Sequence, residues 1–206
     1  MNPSSWFIFA RLYDSLLEPM LHRWKQRVSN WIKEHETGLV LDICCGTGKQ
    51  CRMIAPHTPV VGLDLDLSML RYAKTVATHI AFVCGDAECL PFKSGVFSAT
   101  LISLALHDKP PKARTRMLGE AMRISGRNGH HLFIDFERLS SFKAKVGYIF
   151  VYGIEFLAGW QHFRNGRQFV KQGGLTQFLH DHRLAIHEKH TSTWGSSSMV
   201  LCKPQE

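Results

Sequence analysis

The chain has 206 residues, of which 45% are apolar and 20% charged, and its formal charge is +8. This size suits one domain with a sizeable core, and no apolar stretch approaches the roughly 18 residues that indicate a membrane span. The first residues lack the basic segment and the apolar run of a signal peptide, so we expect a cytoplasmic protein. A basic surface favours anions in general, without choosing among phosphates, nucleic acid and anionic lipid.

The pattern of apolar residues predicts helices and strands that alternate along the chain. Residues 6–35 are predicted to be helical, because apolar side chains recur there at spacings of three and four. Short β-branched runs then alternate with helix-length segments; the runs lie at 38–43, 59–64, 79–84, 97–104 and 130–136, and the segments at 49–56, 67–77, 86–93 and 111–124. This alternation predicts a parallel sheet covered on both faces. Residues 183–202 are predicted to add two strands, broken at Gly195, that make the sheet mixed.

The segment LVLDICCGTGKQ, residues 39–50, follows the first predicted strand and resembles a phosphate-binding loop only in part. A Walker A loop needs glycine at position 43 and a hydroxyl residue at 50, where this chain has Ile43 and Gln50. A dinucleotide fingerprint needs a third glycine at position 51, which is Cys51. Neither phosphate-binding interpretation is therefore favoured.

Acids end the first three predicted strands, namely Asp42, Asp64 and Asp86. Because the carboxyl ends of neighbouring parallel strands line one crevice, these carboxylates are predicted to share a ligand. An acid repels a pyrophosphate but suits an ammonium group or a ribose hydroxyl. S-adenosylmethionine carries both groups and no phosphate. The alternative is that each acid caps the segment that follows it.

Three motifs stand in order: VLDICCGTG at 40–48, VVGLDLDLSML at 60–70 and VCGDAECLPF at 83–92. Together they resemble the successive motifs of class I S-adenosylmethionine-dependent methyltransferases over about residues 9–137. The run Cys-Cys-Gly-Thr and the segment FARLYD at 9–14 are similar to the ubiquinone and menaquinone C-methyltransferase branch. Cys44 stands where the family usually has glycine.

The resemblance implies an α/β Rossmann-like fold with a seven-stranded, mostly parallel sheet, an antiparallel C-terminal strand and helices on both faces. We expect a single methyltransferase domain. Its parts would be an N-terminal helical cap at 1–35, a cofactor-binding core at 36–137, a helical acceptor-site insertion at 138–182 and a C-terminal hairpin at 183–206.

The resemblance also implies which residues of the first strand and its loop bind the cofactor. Gly46 and Gly48 would lie under its methionine part, together with Cys44. Asp42 would anchor the loop or the ligand amine. Tyr13 would cover the bound cofactor.

Residues after the second, third and fourth strands would bind the adenosyl part and the sulfonium region. Asp64 would hold the ribose, and Asp86 would meet the adenine amine. The remaining positions contact the adenine or the sulfonium; they are Leu65, Met69, Ala87, Ser103 and Leu104. The product would be S-adenosylhomocysteine, and no metal is expected.

The acceptor is predicted to be a small molecule that binds under the aromatic segment at 146–160, which carries one charge, Glu155. That segment is either a buried helix or an apolar cap over the site, so the acceptor is expected to be quinone-like or lipid-like. Contact with an anionic membrane surface is compatible with the basic charge. His107, Asp108 and His162 are candidate bases, with His107 and His162 preferred as the catalytic residues.

Other functions remain open from the sequence. The chain could bind the cofactor without catalysis, or methylate a thiol or metalloid through Cys44, Cys45 or Cys51. Nucleic acid is disfavoured, because Pro110-Pro111 lacks the aromatic neighbour that would stack on a flipped base. The sequence does not predict an oligomeric state.

Overall fold

The structure is a computed structural model, and it describes residues 21–35, 37–146, 148 and 160–204. The described residues form seven strands: β1 (Val40–Ile43), β2 (Val60–Asp64), β3 (Ala81–Cys84), β4 (Ala99–Ser103), β5 (His130–Phe136), β6 (Leu184–Thr191) and β7 (Ser197–Pro204). They form one sheet in the order β3-β2-β1-β4-β5-β7-β6. Neighbours from β3 to β5 pair in parallel, and β7 is antiparallel to both β5 and β6. The predicted sheet is confirmed.

The described helices lie close to the predicted places, and residues 6–20 of the first predicted helix lie outside the described residues. These helices are α1 over 21–34, α2 (Lys49–Ile54), α3 (Leu67–Val76), α4 (Pro111–Ser125), α5 over 142–146, α6 (Trp160–Lys171) and α7 (Gly174–Asp181). α4 begins with proline at its first position, where the missing N–H costs no helical hydrogen bond. It ends before Gly126, whose φ of 68° suits glycine.

The helix predicted at 86–93 is wrong, because the chain forms a turn there. The Asp86 carboxylate accepts a hydrogen bond from the Glu88 amide at 2.8 Å, and the Asp86 carbonyl accepts one from the Cys89 amide at 3.1 Å. An aspartate that bonds the backbone two residues on stabilises a turn rather than a helix. Pro91 then supplies no N–H to continue a helix.

Both faces of the sheet are buried, which explains the nearly continuous apolar strands. In β1, Leu41 and Ile43 belong to a core shared with α4 and α7, and Val40 belongs to a core shared with α1 and α2. We name these the α4 face and the α1 face. The alternation repeats in β4, where Ile102 lies on the α4 face and Leu101 on the α1 face.

A smaller apolar cluster lies beyond the carboxyl end of β5. Phe136 packs edge-on against Tyr148, with ring centroids 4.9 Å apart, and both belong to one cluster with Val170 of α6. This cluster joins the segment after β5 to the helix that precedes α7. Among the described residues, no helix combines the length and the apolar character that crossing a membrane would need.

Candidate functional site

The sheet changes its direction of growth between β1 and β4. β1 pairs with β2 on one side and β4 on the other, so the chain leaves β1 toward one edge and later returns to its opposite side. In open α/β sheets such a switch point leaves a crevice at the carboxyl ends of the strands. Residues 44–48, here called the glycine loop, follow β1 into this crevice, and Ser103 and Leu104 reach it from β4.

Three residues of the glycine loop adopt left-handed backbone conformations: Cys44 (φ 61°), Gly46 (φ 53°) and Gly48 (φ 69°). Glycine suits the two positions for different physical reasons. A Cβ on Gly48 would lie 2.6 Å from the Phe82 ring, whereas a Cβ on Gly46 would meet no atom within 4 Å. Gly48 is therefore needed for packing, and Gly46 leaves open space above the loop. Cys44 adopts this conformation at a cost of roughly 1–2 kcal/mol.

Asp64 ties the end of β2 to the glycine loop. One carboxylate oxygen accepts the Gly46 amide at 2.7 Å, and the other accepts the Asp66 amide at 2.9 Å. A carboxylate has about four acceptor positions, so further hydrogen bonds from a ligand are compatible with these two. The helix cap is a different residue, because Asp66 accepts the Ser68 amide at 2.7 Å at the start of α3.

Asp42 lies under the glycine loop on the α1 face and is only 2% exposed. The Cys51 thiol donates to its carboxylate at 3.2 Å. Burial raises the pKa of Asp42 to about 7, and the Cys51 thiol and Lys25 act in the opposite direction. A cation bound nearby would therefore favour deprotonation of Asp42, because a positive charge stabilises the ionised carboxylate.

The predicted adenine-side residues follow β2 and β3. Leu65 is 67% exposed and Met69 is half-buried. Asp86 is exposed, next to the buried Ala87, and the Gly85 amide donates to the Asp64 carbonyl at 3.0 Å. The acids after β2 and β3 are thus held at neighbouring strand ends, with exposed apolar surface beside them.

These groups fit an adenosyl cofactor. The space over Gly46 accommodates close approach of a ligand to the backbone. Asp64 retains acceptor positions for ribose hydroxyls, and Leu65 offers apolar surface for a flat base. Tyr13, which was predicted to cover the cofactor, lies outside the described residues.

The residues that end β4 lead toward a second region of the crevice. Ser103 and Leu104 are half-buried, and Leu104 has a left-handed φ of 52°. The Leu104 amide donates to the Ile134 carbonyl at 2.7 Å, which fixes this turn against β5. A leucine in this conformation is uncommon and marks a strained turn at the switch point.

His107 is buried between two carboxylates. Its Nδ1 lies 2.7 Å from Asp135 and its Nε2 lies 2.9 Å from Asp108, and only 3% of its side chain is exposed. Burial opposes the charged form, but Asp135 and Asp108 raise the pKa of His107 well above its ordinary value. The imidazolium is therefore the expected form at neutral pH. This arrangement does not suit His107 as a proton acceptor.

Asp108 connects His107 to His162. The same Asp108 oxygen lies 3.3 Å from Nδ1 of His162, whose side chain is 45% exposed. Burial opposes ionisation of Asp108, but His107 and His162 hold its pKa below the ordinary value. Both preferred catalytic histidines thus meet at one carboxylate, although no three His, Cys, Asp or Glu groups of the described chain are arranged to hold a metal ion.

Sequence reasoning missed two buried residues that build this region. Asp135, at 0% exposure, accepts the amides of Leu106 at 3.0 Å and His107 at 3.2 Å. Arg114 of α4 donates to the carbonyls of Leu106 at 2.9 Å and Asn165 at 3.0 Å. An acid inside the apolar run of β5 was the available signal for Asp135. Arg114 had no comparable signal.

The cysteines of the glycine loop do not form an exposed reactive group. Burial raises the pKa of Cys44 to about 12, and the negative charge of Asp64 acts in the same direction. Thiols in this state remain protonated at neutral pH, whereas nucleophilic cysteines need the thiolate.

Comparison with known proteins connects this geometry to a family. Residues 40–129 match the family described as Methyltransferase domain. A 2-phytyl-1,4-naphtoquinone methyltransferase of Thermosynechococcus vestitus is 31% identical over 138 residues, which are 63% of this chain and 60% of that protein. A demethylmenaquinone methyltransferase of Thermotoga maritima is 32% identical over 139 residues, covering 61% of this chain and 60% of that protein. The alignments therefore span less than two thirds of these relatives.

Solved structures share the fold at low identity. YcgJ of Bacillus subtilis superimposes with a TM-score of 0.67 at 16% identity, covering 90% of this chain and 99% of that one. The N-methyltransferase NodS of Bradyrhizobium japonicum WM9, in complex with S-adenosyl-L-homocysteine, gives a TM-score of 0.65 at 14% identity, covering 92% and 88%.

Proposed function

Since the chain contains a class I S-adenosylmethionine-dependent methyltransferase domain similar to quinone C-methyltransferases, we propose that the protein transfers a methyl group to a small apolar, quinone-like acceptor. The observation that carries the proposal is the convergence of the glycine loop with Asp64 and Asp86 at neighbouring strand ends. The names of the relatives support the acceptor class.

The cofactor role follows from the loop and its acids. Bound S-adenosylmethionine would supply an electrophilic methyl group on a sulfonium that leaves readily. Asp64 and the Gly46 amide would hold the ribose and methionine parts, because they already lie 2.7 Å apart at the crevice. Asp42 would favour the ligand's ammonium through its buried carboxyl, and Asp86 would accept from the adenine amine. Positioning and water exclusion by these residues would carry much of the rate.

The acceptor role follows from the apolar cluster near β5. Phe136, Tyr148 and Val170 form a buried apolar cluster at the end of β5, and Leu104, which follows β4, packs against it. An acceptor that enters beside Leu104 would meet this cluster, and apolar surroundings suit a ring system or a prenyl-like tail. The rest of the segment 146–160, which was predicted to cap the acceptor, lies outside the described residues.

The test combines cofactor binding with methyl transfer. Calorimetry should detect binding of S-adenosylhomocysteine, and labelled S-adenosylmethionine should transfer its methyl group to a 2-substituted 1,4-naphthoquinone supplied in reduced form. Asp64→Ala should abolish both signals, whereas Asp66→Asn, which can keep the α3 cap, should retain them. Cofactor binding without transfer to naphthoquinols, benzoquinols or a lysate of small molecules would contradict the proposal and favour a cofactor-binding protein without catalysis.

We further propose that the protein meets its acceptor at an anionic membrane surface. Ala144 of α5 is buried, and so is Tyr148 just after that helix, whereas Phe142 is 80% exposed. Gly195 lies beside α5, since its Cβ position is 3.9 Å from that of Ala144, and the adjacent Trp194 is 52% exposed.

Basic residues accompany these aromatic side chains. Segment 138–180 contains six Lys or Arg residues and one acid, Glu155. Exposed aromatic side chains next to cations are typical of contact with anionic lipid headgroups.

Vesicle sedimentation tests this contact. Vesicles with anionic lipid should bind the protein, and zwitterionic vesicles should bind it several-fold less. The double variant Phe142→Ser with Lys143→Glu should lose binding. Val96→Ser with Lys93→Glu, which changes an exposed apolar residue and a nearby lysine at the opposite end of the sheet, should not. Equal loss in both variants would contradict a specific surface.

A further inference from the structure

The geometry points to His162 as the acceptor-side base and to Asp135, His107 and Asp108 as a buried positioning chain that orients it. We name these four residues the Asp-His chain. This inference rests on the proposed function, because a base is needed only if the acceptor loses a proton. It gives different roles to His107 and His162, which the sequence offers equally as candidate bases.

The first step of the argument concerns His107. Both of its ring nitrogens face carboxylates, at 2.7 Å from Asp135 and 2.9 Å from Asp108, and its side chain is 3% exposed. A ring enclosed by two anions holds its proton and cannot reach an acceptor. His107 is therefore a positioning residue, and its charge keeps Asp108 ionised.

The second step concerns His162. A carboxylate 3.3 Å from Nδ1 favours the tautomer that carries hydrogen on Nδ1. The lone pair is then on Nε2, the tautomer that a carboxylate favours in the catalytic histidine of hydrolases, although Asp108 Oδ1 forms no aligned hydrogen bond within the described residues. At 45% exposure His162 is the member of the chain that solvent and small molecules can reach.

The third step concerns charge. With His107 as an imidazolium, Asp135 and Asp108 leave the chain with one net negative charge. A proton on His162 would bring the four residues to neutrality, so the chain is organised in advance to stabilise that product. Among the described residues, Arg114 of α4 is also charged and packed here; it donates to the carbonyls of Leu106, His107 and Asn165 and offsets part of this field. On α6 itself, Arg164 and Arg167 are exposed.

Protons and electron pairs are conserved in the proposed methyl transfer. The acceptor loses one hydrogen as a proton, which Nε2 of His162 accepts and later gives to solvent. The electron pair of that bond, or of the oxyanion that deprotonation creates, forms the new bond to the methyl carbon. The broken methyl–sulfur bond leaves its electron pair on sulfur, and no oxidant or reductant is required.

Activity measurements provide the first arm of the test. His162→Gln should lower kcat/KM for a reduced naphthoquinone by about 10²–10⁴-fold, the usual contribution of a general base, while cofactor affinity stays within about threefold. Free imidazole should partly restore the activity of His162→Ala. The matched control is His180→Gln on α7, an exposed histidine outside the chain, which should be unchanged.

Asp108→Asn separates positioning from folding. It should lower kcat/KM less than His162→Gln and move the acid limb of the pH profile to lower pH, because the negative charge that favours a protonated His162 is gone. A structural role alone would lower activity equally at all pH values.

Nitrogen NMR of the imidazoles provides the second arm, which needs no turnover. In the wild type, His162 should carry its hydrogen on Nδ1 and His107 should remain an imidazolium at a pH where an ordinary histidine is neutral. Asp135→Asn should make His107 neutral at that pH. A neutral wild-type His107, or a His162 with hydrogen on Nε2, would overturn the inference even if methyl transfer is observed. Transfer that persists within threefold in His162→Gln would also overturn it, whereas expected NMR signals with no transfer would instead refute the proposed function.

Discussion

The crevice has two edges that are built in different ways. The cofactor edge, at the ends of β1, β2 and β3, uses a glycine loop and acids that are separated by roughly one βα unit each. The proposed acceptor edge, at the ends of β4 and β5, uses the Asp-His chain and Arg114, whose members come from three separated parts of the sequence, 107–114, 135 and 162. The cofactor edge thus depends on backbone shape and local turns, and the acceptor edge depends on long-range ion pairs. Substitutions should therefore affect cofactor affinity at one edge and acceptor turnover or stability at the other.

The strongest test of the cofactor edge is Asp64→Ala. This change removes the acceptor of the Gly46 amide and, in the proposed complex, of the ribose hydroxyls, each a charge-assisted hydrogen bond of about 1.5–3 kcal/mol. Affinity for S-adenosylhomocysteine should fall by about 10²–10³-fold, measured by calorimetry. A loss below fivefold would remove Asp64 from the site.

The matching test of the acceptor edge is Arg114→Leu. The guanidinium is 2% exposed and bonds three carbonyls, which would be left unpaired. We expect a loss of about 3 kcal/mol in the free energy of unfolding, which lowers Tm by about 6–12 °C in a chain of this size. Arg116→Leu on the same helix is the control, because its ion pair with Glu88 is largely exposed and such pairs are worth about 0–1 kcal/mol. Equal effects of the two variants would contradict the special role of Arg114.

The free energy of unfolding should depend on Asp42, at the cofactor edge, and on His107, at the acceptor edge, in adjacent pH windows. Folding raises the pKa of Asp42 to about 7, so the folded chain keeps a proton that the unfolded chain loses, and stability falls as pH rises from about 4 to 7. His107 has a raised pKa too, so its contribution is present below about pH 6.5 and is lost as pH rises further. Denaturant unfolding should show that Asp42→Asn removes the fall in stability across the lower window only, because an amide does not titrate there. The cost of burying the amide shifts the stability equally at all pH values. A wild-type stability that rises across both windows would refute these assignments.

The smallest effect compares Asp42 with its neighbouring cysteine. Asp42→Ala should weaken cofactor binding about tenfold, since one buried charge contact with the ligand ammonium is lost. Cys44→Ala should change the affinity less than threefold, because the backbone conformation, and not the thiol, places Cys44 in the loop. Calorimetry of both variants decides the order, and the reverse order would show that the thiol matters.

The sequence brings the candidate cofactor residues to neighbouring strand ends because its signals there are local. Strand ends, the loop glycines and the acids after β2 and β3 are read from a contiguous pattern, and the structure places them together. The same pattern assigned no separate role to Asp66, although the cap of α3 is Asp66 and not Asp64. The turn at 86–93 was missed because its apolar residues also fit a helix.

The acceptor edge could not be predicted because its partners are distant in sequence. His107 and His162 were candidates as histidines near an expected cavity, but only the fold brings both to Asp108. Asp135 differs from its neighbours only as an acid inside an apolar strand, which does not reveal its partners. Arg114 lies on a helix rich in basic residues, so neither periodicity nor charge distinguishes it. Their roles depend on burial and on the partners that the sheet order provides.

Arg114 also has a consequence for protein engineering. Its guanidinium donates both to the Leu106 carbonyl, after β4, and to the Asn165 carbonyl of α6. These bonds fix α6 to the core, so α6 cannot be exchanged without disturbing the core. A chimera that imports another enzyme's acceptor specificity should therefore replace residues between 138 and 159 and keep α6. Exchange that includes α6 would separate the guanidinium from its carbonyl partner, and the recipient would need an arginine–carbonyl pair of its own.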